Sequence, residues 1–230
     1  KFLGYTDFDC EATVKAIAVN GEKVDFIGAE QDGVIVLDAT TLYGEGGGQV
    51  GDTGAMASQG ATVEITDTKK LGDGKIMHIG KVISGVLNSG DTVKCSVDAK
   101  RRGLIERNHS ATHLLQKALK EVLGDHVQQS GSYVDAERLR FDFTHFEAMS
   151  KQQIAEVENR VNEKVFASLT VTCKEMPIDE AKKLGAMALF GEKYGATVRV
   201  VSMGDFSMEL CGGTHVKNTG DIAFFKILSE

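Results

Sequence analysis

Over its first hundred residues this chain meets a glycine too often to carry any long helix. Sixteen of its 26 glycines fall there. Between them, apolar and polar residues alternate with the period of two that a half-buried strand needs, over 13–19, 24–27, 33–37, 61–65, 75–79 and 92–97. Asn20-Gly21, Asp32-Gly33, Asp73-Gly74 and Ser89-Gly90 separate the runs as turn signals. Short strands at this spacing predict a small, glycine-rich antiparallel β-barrel over residues 1–99.

From residue 100 the pattern changes. No proline interrupts 100–123, where Leu104, Ala111, Leu115, Ala118 and Val122 recur at helical spacing and Gly124 supplies a stop. A second helix is predicted over 147–168, with Ser150 and Gln153 as a capping box and Ile154, Val157, Val161 and Val165 as its buried stripe. Strands are expected at 127–134 and 139–143 as a pair, then at 198–203, 207–210 and 222–228. The one proline, Pro177, precedes a short helix over 178–184. Residues 100–230 therefore read as an α+β domain, and the whole chain as α+β.

Charge and cysteine usage narrow the function classes. The net charge is −7, and the first 100 residues, with nine lysines and fifteen acidic groups, account for −6 of it. Bulk acidity argues against general nucleic-acid affinity, yet Arg101, Arg102, Arg107, Lys117 and Lys120 gather on the first helix. Local contact with RNA is thus left open. Cys10, Cys95, Cys173 and Cys211 lie far apart, as in a reducing, cytoplasmic compartment rather than a disulfide scaffold. No signal peptide is visible, and no apolar run approaches the roughly 20 residues of a membrane span. The chain opens on Lys1 and stops after an apolar stretch at Glu230, which we read as a piece of a longer protein.

Two pairs of possible metal ligands stand out. His109 and His113 are four apart on the first predicted helix, a spacing that puts two imidazoles on one face, about 5–6 Å apart at Cβ. Cys211 and His215 flank Gly212-Gly213-Thr214 after a predicted strand, where the glycines permit a tight turn. Three histidines and one cysteine suit zinc. At about 100° per residue the two helical histidines fall opposite the apolar stripe, so the metal is expected to face a cleft. The same phase puts Arg102 and Lys120 within about 20° of His109, where they would suit a polyanionic substrate. A closed structural zinc is the alternative. A zinc peptidase needs a glutamate directly after the first histidine, and that position holds Ser110. His78, His126, His145 and Cys173 have no partner at ligand spacing.

Residues 107–113, Arg-Asn-His-Ser-Ala-Thr-His, together with 211–215, Cys-Gly-Gly-Thr-His, resemble the editing domain of alanyl-tRNA synthetases and the related free-standing AlaX proteins. The resemblance extends through 127–132, 139–143, Gly220-Asp221-Ile222 and the glycine-rich 43–49 and 51–54, covering nearly the whole chain. It implies an enzyme, a zinc-dependent deacylase that hydrolyses seryl-tRNA(Ala) and glycyl-tRNA(Ala). Zinc would be held by His109, His113, Cys211 and His215, with Thr112 and Gln129 lining the editing pocket. Gly46, Gly47, Gly48 and Gln49 would let backbone N–H groups approach phosphate or the terminal ribose, and Arg102 and Lys120 would complete substrate binding. Implied partners are the acceptor end of tRNA(Ala) and the remaining, ATP-binding parts of a parent synthetase. A free-standing trans-editing protein, a zinc-stapled tRNA-binding module and a hydrolase of small esters remain alternatives. Whether zinc activates water or positions the aminoacyl group is left open.

Overall fold

The alternating runs of the first hundred residues close on themselves. A computed structural model describes residues 1–187 and 195–230, which divide into two units, Lys1–Arg102 and Gly103–Glu230. The first contains β1 (Asp9–Val19), β2 (Glu22–Val24), β3 (Phe26–Gly28), β4 (Asp32–Leu37), β5 (Gly54–Ala57), β6 (Ala61–Lys70), β7 (Ile76–Asn88) and β8 (Thr92–Val97). Six of them pair in the order β1-β4-β7-β6-β5-β8, and β8 returns to β1. All the pairings are antiparallel, so the barrel has no open edge between these strands. Inward-pointing Ile17, Ile35, Met56, Ile65 and Leu87 are fully buried, each worth about 2 kcal/mol of transfer from water.

Two details depart from the alternation. The run 24–27 is two strands rather than one: β2 pairs with β1, and β3 crosses to pair with β7. Asn20 and Gly21, with φ of 52° and 83°, make the primed turn that joins β1 to β2. The other departure is β5, Gly-Ala-Met-Ala, a strand whose composition has little β preference. It exists because Gly54 permits close approach; a Cβ there would lie 2.1 Å from the carbonyl oxygen of Ser96.

Helix α1 (Ala99–Leu123) starts in the first unit, where the Asp98 carboxylate accepts the Arg101 N–H at 3.0 Å. It stops at Gly124, whose φ of 115° ends the helical path. The second unit continues with a hairpin of β9 (Gln129–Val134) and β10 (Leu139–Phe143), then α2 (Lys151–Phe166), β11 (Val171–Pro177), α3 (Ile178–Lys183), β12 (Thr197–Met203) and β13 (Ser207–Leu210). Strands β11, β12 and β13 form an antiparallel sheet in that order. Ser150 and Gln153 form the expected capping box on α2. Leu114, Ala118 and Leu119 of α1 share one core with Val157, Val161 and Val165 of α2 and with Val201 and Met203 of β12.

The expected strand at 222–228 does not form. Thr219–Ile222 is a 3₁₀ turn, and Ala223 follows at a φ of 71°. The tail beyond is held by side chains of α2. Asn162 donates to the Phe225 carbonyl at 2.9 Å and accepts the Phe225 N–H at 2.9 Å, while Glu158 accepts the Ile227 N–H at 2.8 Å. Alternation in the sequence announced an extended chain, but its partner is a helix edge rather than a strand. In the opposite sense, β11 is mostly exposed. It carries no apolar alternation that would mark it.

Candidate metal centre

Helix α1 is not amphipathic where it matters. Eight consecutive residues, 109–116, are buried, whereas Leu104, expected in the core stripe, is 38% exposed. The helix is surrounded over two turns, so His109 and His113 lie among packed side chains and not on the open cleft face predicted from phase. Their rings sit 5.4 Å apart between centroids. The chain leaving β13 brings the other pair to them. His215 lies 4.4 Å from the His109 ring and 4.6 Å from the His113 ring, again between centroids.

The sulfur of Cys211 is 3.4 Å from Nε2 of His109 and 3.3 Å from Nε2 of His215. One potential ligand atom from each of His109, His113, Cys211 and His215 lies within 4.8 Å of the others. The turn between Cys211 and His215 is braced rather than loose. Arg199 on β12 donates to the carbonyls of Cys211 at 2.9 Å and Gly213 at 2.8 Å, and the Gly213 N–H reaches Sγ at 3.4 Å. Gly212 has no need of a left-handed φ.

Burial governs the protonation of these groups. It holds His109 down at about 4 and pushes His113 and His215 well below the ordinary histidine value, with the Arg199 charge adding to each. Burial also pushes the Cys211 thiol up to about 12 and the Glu209 carboxyl up to about 8. Neutral imidazoles are the form that ligates metal, and an ion would draw the proton from the thiol. Nδ1 of His113 is buried without a hydrogen-bond partner among the described residues. It lies 3.4 Å from Oε2 of Glu209, close enough to attract but poorly aligned to bond. Three imidazoles and one thiolate converging at one point fit a zinc ion.

Two family models match this chain. Residues 1–101 match the model described as tRNA synthetases class II (A), and residues 198–230 match the threonyl and alanyl tRNA synthetase second additional domain. The second stretch contains Arg199, Glu209, Cys211 and His215. Its whole length is similar to alanine-tRNA ligases. The chain is 52% identical over 230 residues to the alanine-tRNA ligase of Acetivibrio thermocellus, covering 100% of this chain and 26% of that protein. It is 53% identical over 229 residues to the one of Clostridioides difficile and 51% identical over 230 residues to the one of Shewanella loihica, with the same coverage. The chain thus spans about a quarter of the length of these alanine-tRNA ligases.

The remaining expected site residues divide. Thr112 is buried and its hydroxyl donates to the Asn108 carbonyl at 2.8 Å. Gln129 opens β9, opposite Phe143 at a bulge in the hairpin. Lys120 reaches the sulfur of Met187 at 3.5 Å, and its charge acts on the Glu209 carboxyl.

Arg102 is a correction. It is 1% exposed and belongs to the first unit, where it is forked onto Asp52, with Nε at 3.0 and 2.9 Å from the carboxylate oxygens. Its other nitrogens donate to the carbonyls of Gly4 and Thr41, each at 2.8 Å. A buried carboxylate in the first unit claims the guanidinium that helical phase assigned to a substrate. The glycine-rich segment is also less open than expected: Gly46 and Gln49 exchange backbone hydrogen bonds of 3.1 and 3.0 Å, and Gln49 is fully buried. Gly47 and Gly48, both at positive φ, form the tip of that turn.

Residue types and spacing alone did not single out Ser110, Arg199 or Glu209 as neighbours of the ligands. His126 and His145, which have no partner at ligand spacing in the sequence, meet at 2.8 Å, because the hairpin brings together residues 19 apart.

Proposed function

We propose that this chain is the part of an alanine-tRNA ligase that clears wrongly attached amino acids, hydrolysing the ester of seryl-tRNA(Ala) and glycyl-tRNA(Ala). The observation that carries this reading is the convergence of His109, His113, Cys211 and His215 in a chain similar over its full length to alanine-tRNA ligases. In it, residues 100–230 form a zinc-dependent deacylase, residues 1–99 a barrel that assists, and the partners are the acceptor end of tRNA(Ala) and the rest of a cytoplasmic synthetase. No described helix is long and apolar enough to cross a membrane. Zinc bound by the four ligands would supply a Lewis acid beside the ester.

For serine against alanine, the chain's own residues supply selection. The Thr112 proton is committed to Asn108, so toward a substrate its oxygen acts as an acceptor. A serine side chain can donate to it; an alanine methyl cannot, and leaves that lone pair buried and unmatched. Gln129, with both donor and acceptor atoms, orients the ester or a water. Lys120 meets phosphate charge, and the tip formed by Gly47 and Gly48 is the part of the glycine turn able to approach phosphate or ribose.

Incubating the chain with seryl-, glycyl- and alanyl-tRNA(Ala), with and without a zinc chelator, tests this. Faster release of serine and glycine than of alanine, abolished by the chelator, is expected. A Gln129→Ala chain should lose hydrolysis and keep its zinc. One observation favours a second reading: the four converging protein ligands would by themselves fill the four positions of a structural zinc site. Bound zinc with no ester cleaved above the buffer rate would select that reading.

A further inference from the structure

An imidazole binds metal through one nitrogen only if its other nitrogen carries the proton, and the group that accepts that proton decides which nitrogen is offered. Around the four ligands, two side chains stand at the far nitrogens. The Ser110 hydroxyl lies 3.0 Å from Nδ1 of His215 and also accepts the Val216 N–H at 3.2 Å. A hydroxyl oxygen has two lone pairs, so it can take Nδ1–H together with that amide. Nε2 of His215 is then the nitrogen turned toward Cys211 Sγ, as its 3.3 Å approach requires.

Glu209 offers the same service to His113. Its carboxyl group is 6% exposed and lies 3.4 Å from Nδ1 of His113, the one buried side-chain polar atom without a hydrogen-bond partner among the described residues. The Ser207 hydroxyl, at 3.4 Å, holds the other carboxyl oxygen. A buried N–H with a carboxyl oxygen this near closes onto it with a small side-chain movement. Nε2 of His113 is then left for the ion.

We infer that Ser110 and Glu209 are positioning residues, which hold His215 and His113 in the Nδ1–H tautomer so that both present Nε2 to the metal. The inference rests on the proposed metal site and adds the shell that orients it. It also gives a role to Ser110, which occupies the position where a zinc peptidase would carry its general base. Here that side chain faces a ligand from behind.

The test uses the whole chain, stripped of metal and titrated with zinc or cobalt against a chromophoric chelator. Ser110→Ala and Glu209→Leu should each weaken metal binding about 10- to 100-fold. Glu209→Gln, whose amide oxygen still accepts Nδ1–H, should recover most of the loss. Nitrogen-15 spectra of the zinc-loaded chain should show Nδ1–H signals for His113 and His215, the first lost or exchange-broadened in Glu209→Leu and the second in Ser110→Ala. If Glu209→Leu does not fold, these spectra of the unmodified chain still decide the matter, because Nε2–H signals at either histidine overturn the inference. So do variants that bind metal within twofold of the unmodified chain, and a Glu209→Gln chain as impaired as Glu209→Leu. An unmodified chain that binds no metal overturns instead the proposed metal site.

Discussion

Each unit buries a cluster of strongly polar side chains, and the two clusters are finished differently. In the barrel unit, Arg102 and Asp52 are each 1% exposed or less, and the guanidinium spends its donors on one carboxylate and two carbonyls. In the second unit, three neutral imidazoles and a thiol crowd together with no anion among the four to balance an incoming cation. A completed cluster has nothing left to offer a ligand and serves the fold. An incomplete one, retained at the cost of desolvation, marks where something binds.

The largest expected effect breaks the incomplete cluster. Cys211→Ala should lose bound zinc and slow hydrolysis of seryl-tRNA(Ala) by more than about 100-fold, beyond what an outer-shell loss costs, with little change in the barrel. Metal analysis beside the deacylation rate checks it; full activity without zinc would remove the chemical half of the comparison. Breaking the complete cluster should do the reverse. Arg102→Ala leaves Asp52 buried and unpaired and should destabilise the barrel by about 3–5 kcal/mol, read as lost hydrogen-exchange protection in β6 and β7, while zinc stays bound. Replacing both partners with apolar residues of similar size should restore much of that loss.

A smaller effect comes from a buried histidine that binds nothing. His78 donates through Nδ1 to the Ile35 carbonyl at 2.9 Å and meets the Thr40 hydroxyl at 2.8 Å, and burial lowers it from 6.5 to about 4. Between those values the unfolded chain takes up a proton that the folded barrel refuses. Barrel stability should therefore fall as pH drops from about 6.5 toward 4, by about 3 kcal/mol in all. His78→Gln should flatten that slope even if it lowers stability at neutral pH; an unchanged slope would point to other groups. Smallest is the α2 cap. Ser150→Ala should cost about 1 kcal/mol, visible in the second unit alone.

The features legible in sequence were those fixed by neighbours along the chain. Asn20-Gly21 gave the β1–β2 turn because both residues need positive φ, and Ser150 with Gln153 gave the start of α2 because a capping box spans four residues. The ligand pairs were legible for the same reason, the two members of each being four residues apart. Three of the misses involve a distant partner. Arg102 meets Asp52, 50 residues earlier. β5 depends on the backbone of Ser96, and the tail at 222–228 found Asn162 and Glu158 instead of a strand. Ser110 and Glu209 have ordinary local surroundings, so only the folded arrangement reveals that they stand behind histidines.

The burial of α1 on every side between residues 109 and 116 has a consequence for how this chain tolerates change. Helices with one wet face accept mutations in a wave, permissive every three or four positions. Along α1 that wave should die out as substitutions are walked inward and return near Lys117, leaving a stretch of about two turns with no permissive face. Variation that reaches the ligands must then arrive in compensated pairs, with a change on α1 matched by one on α2 or β12.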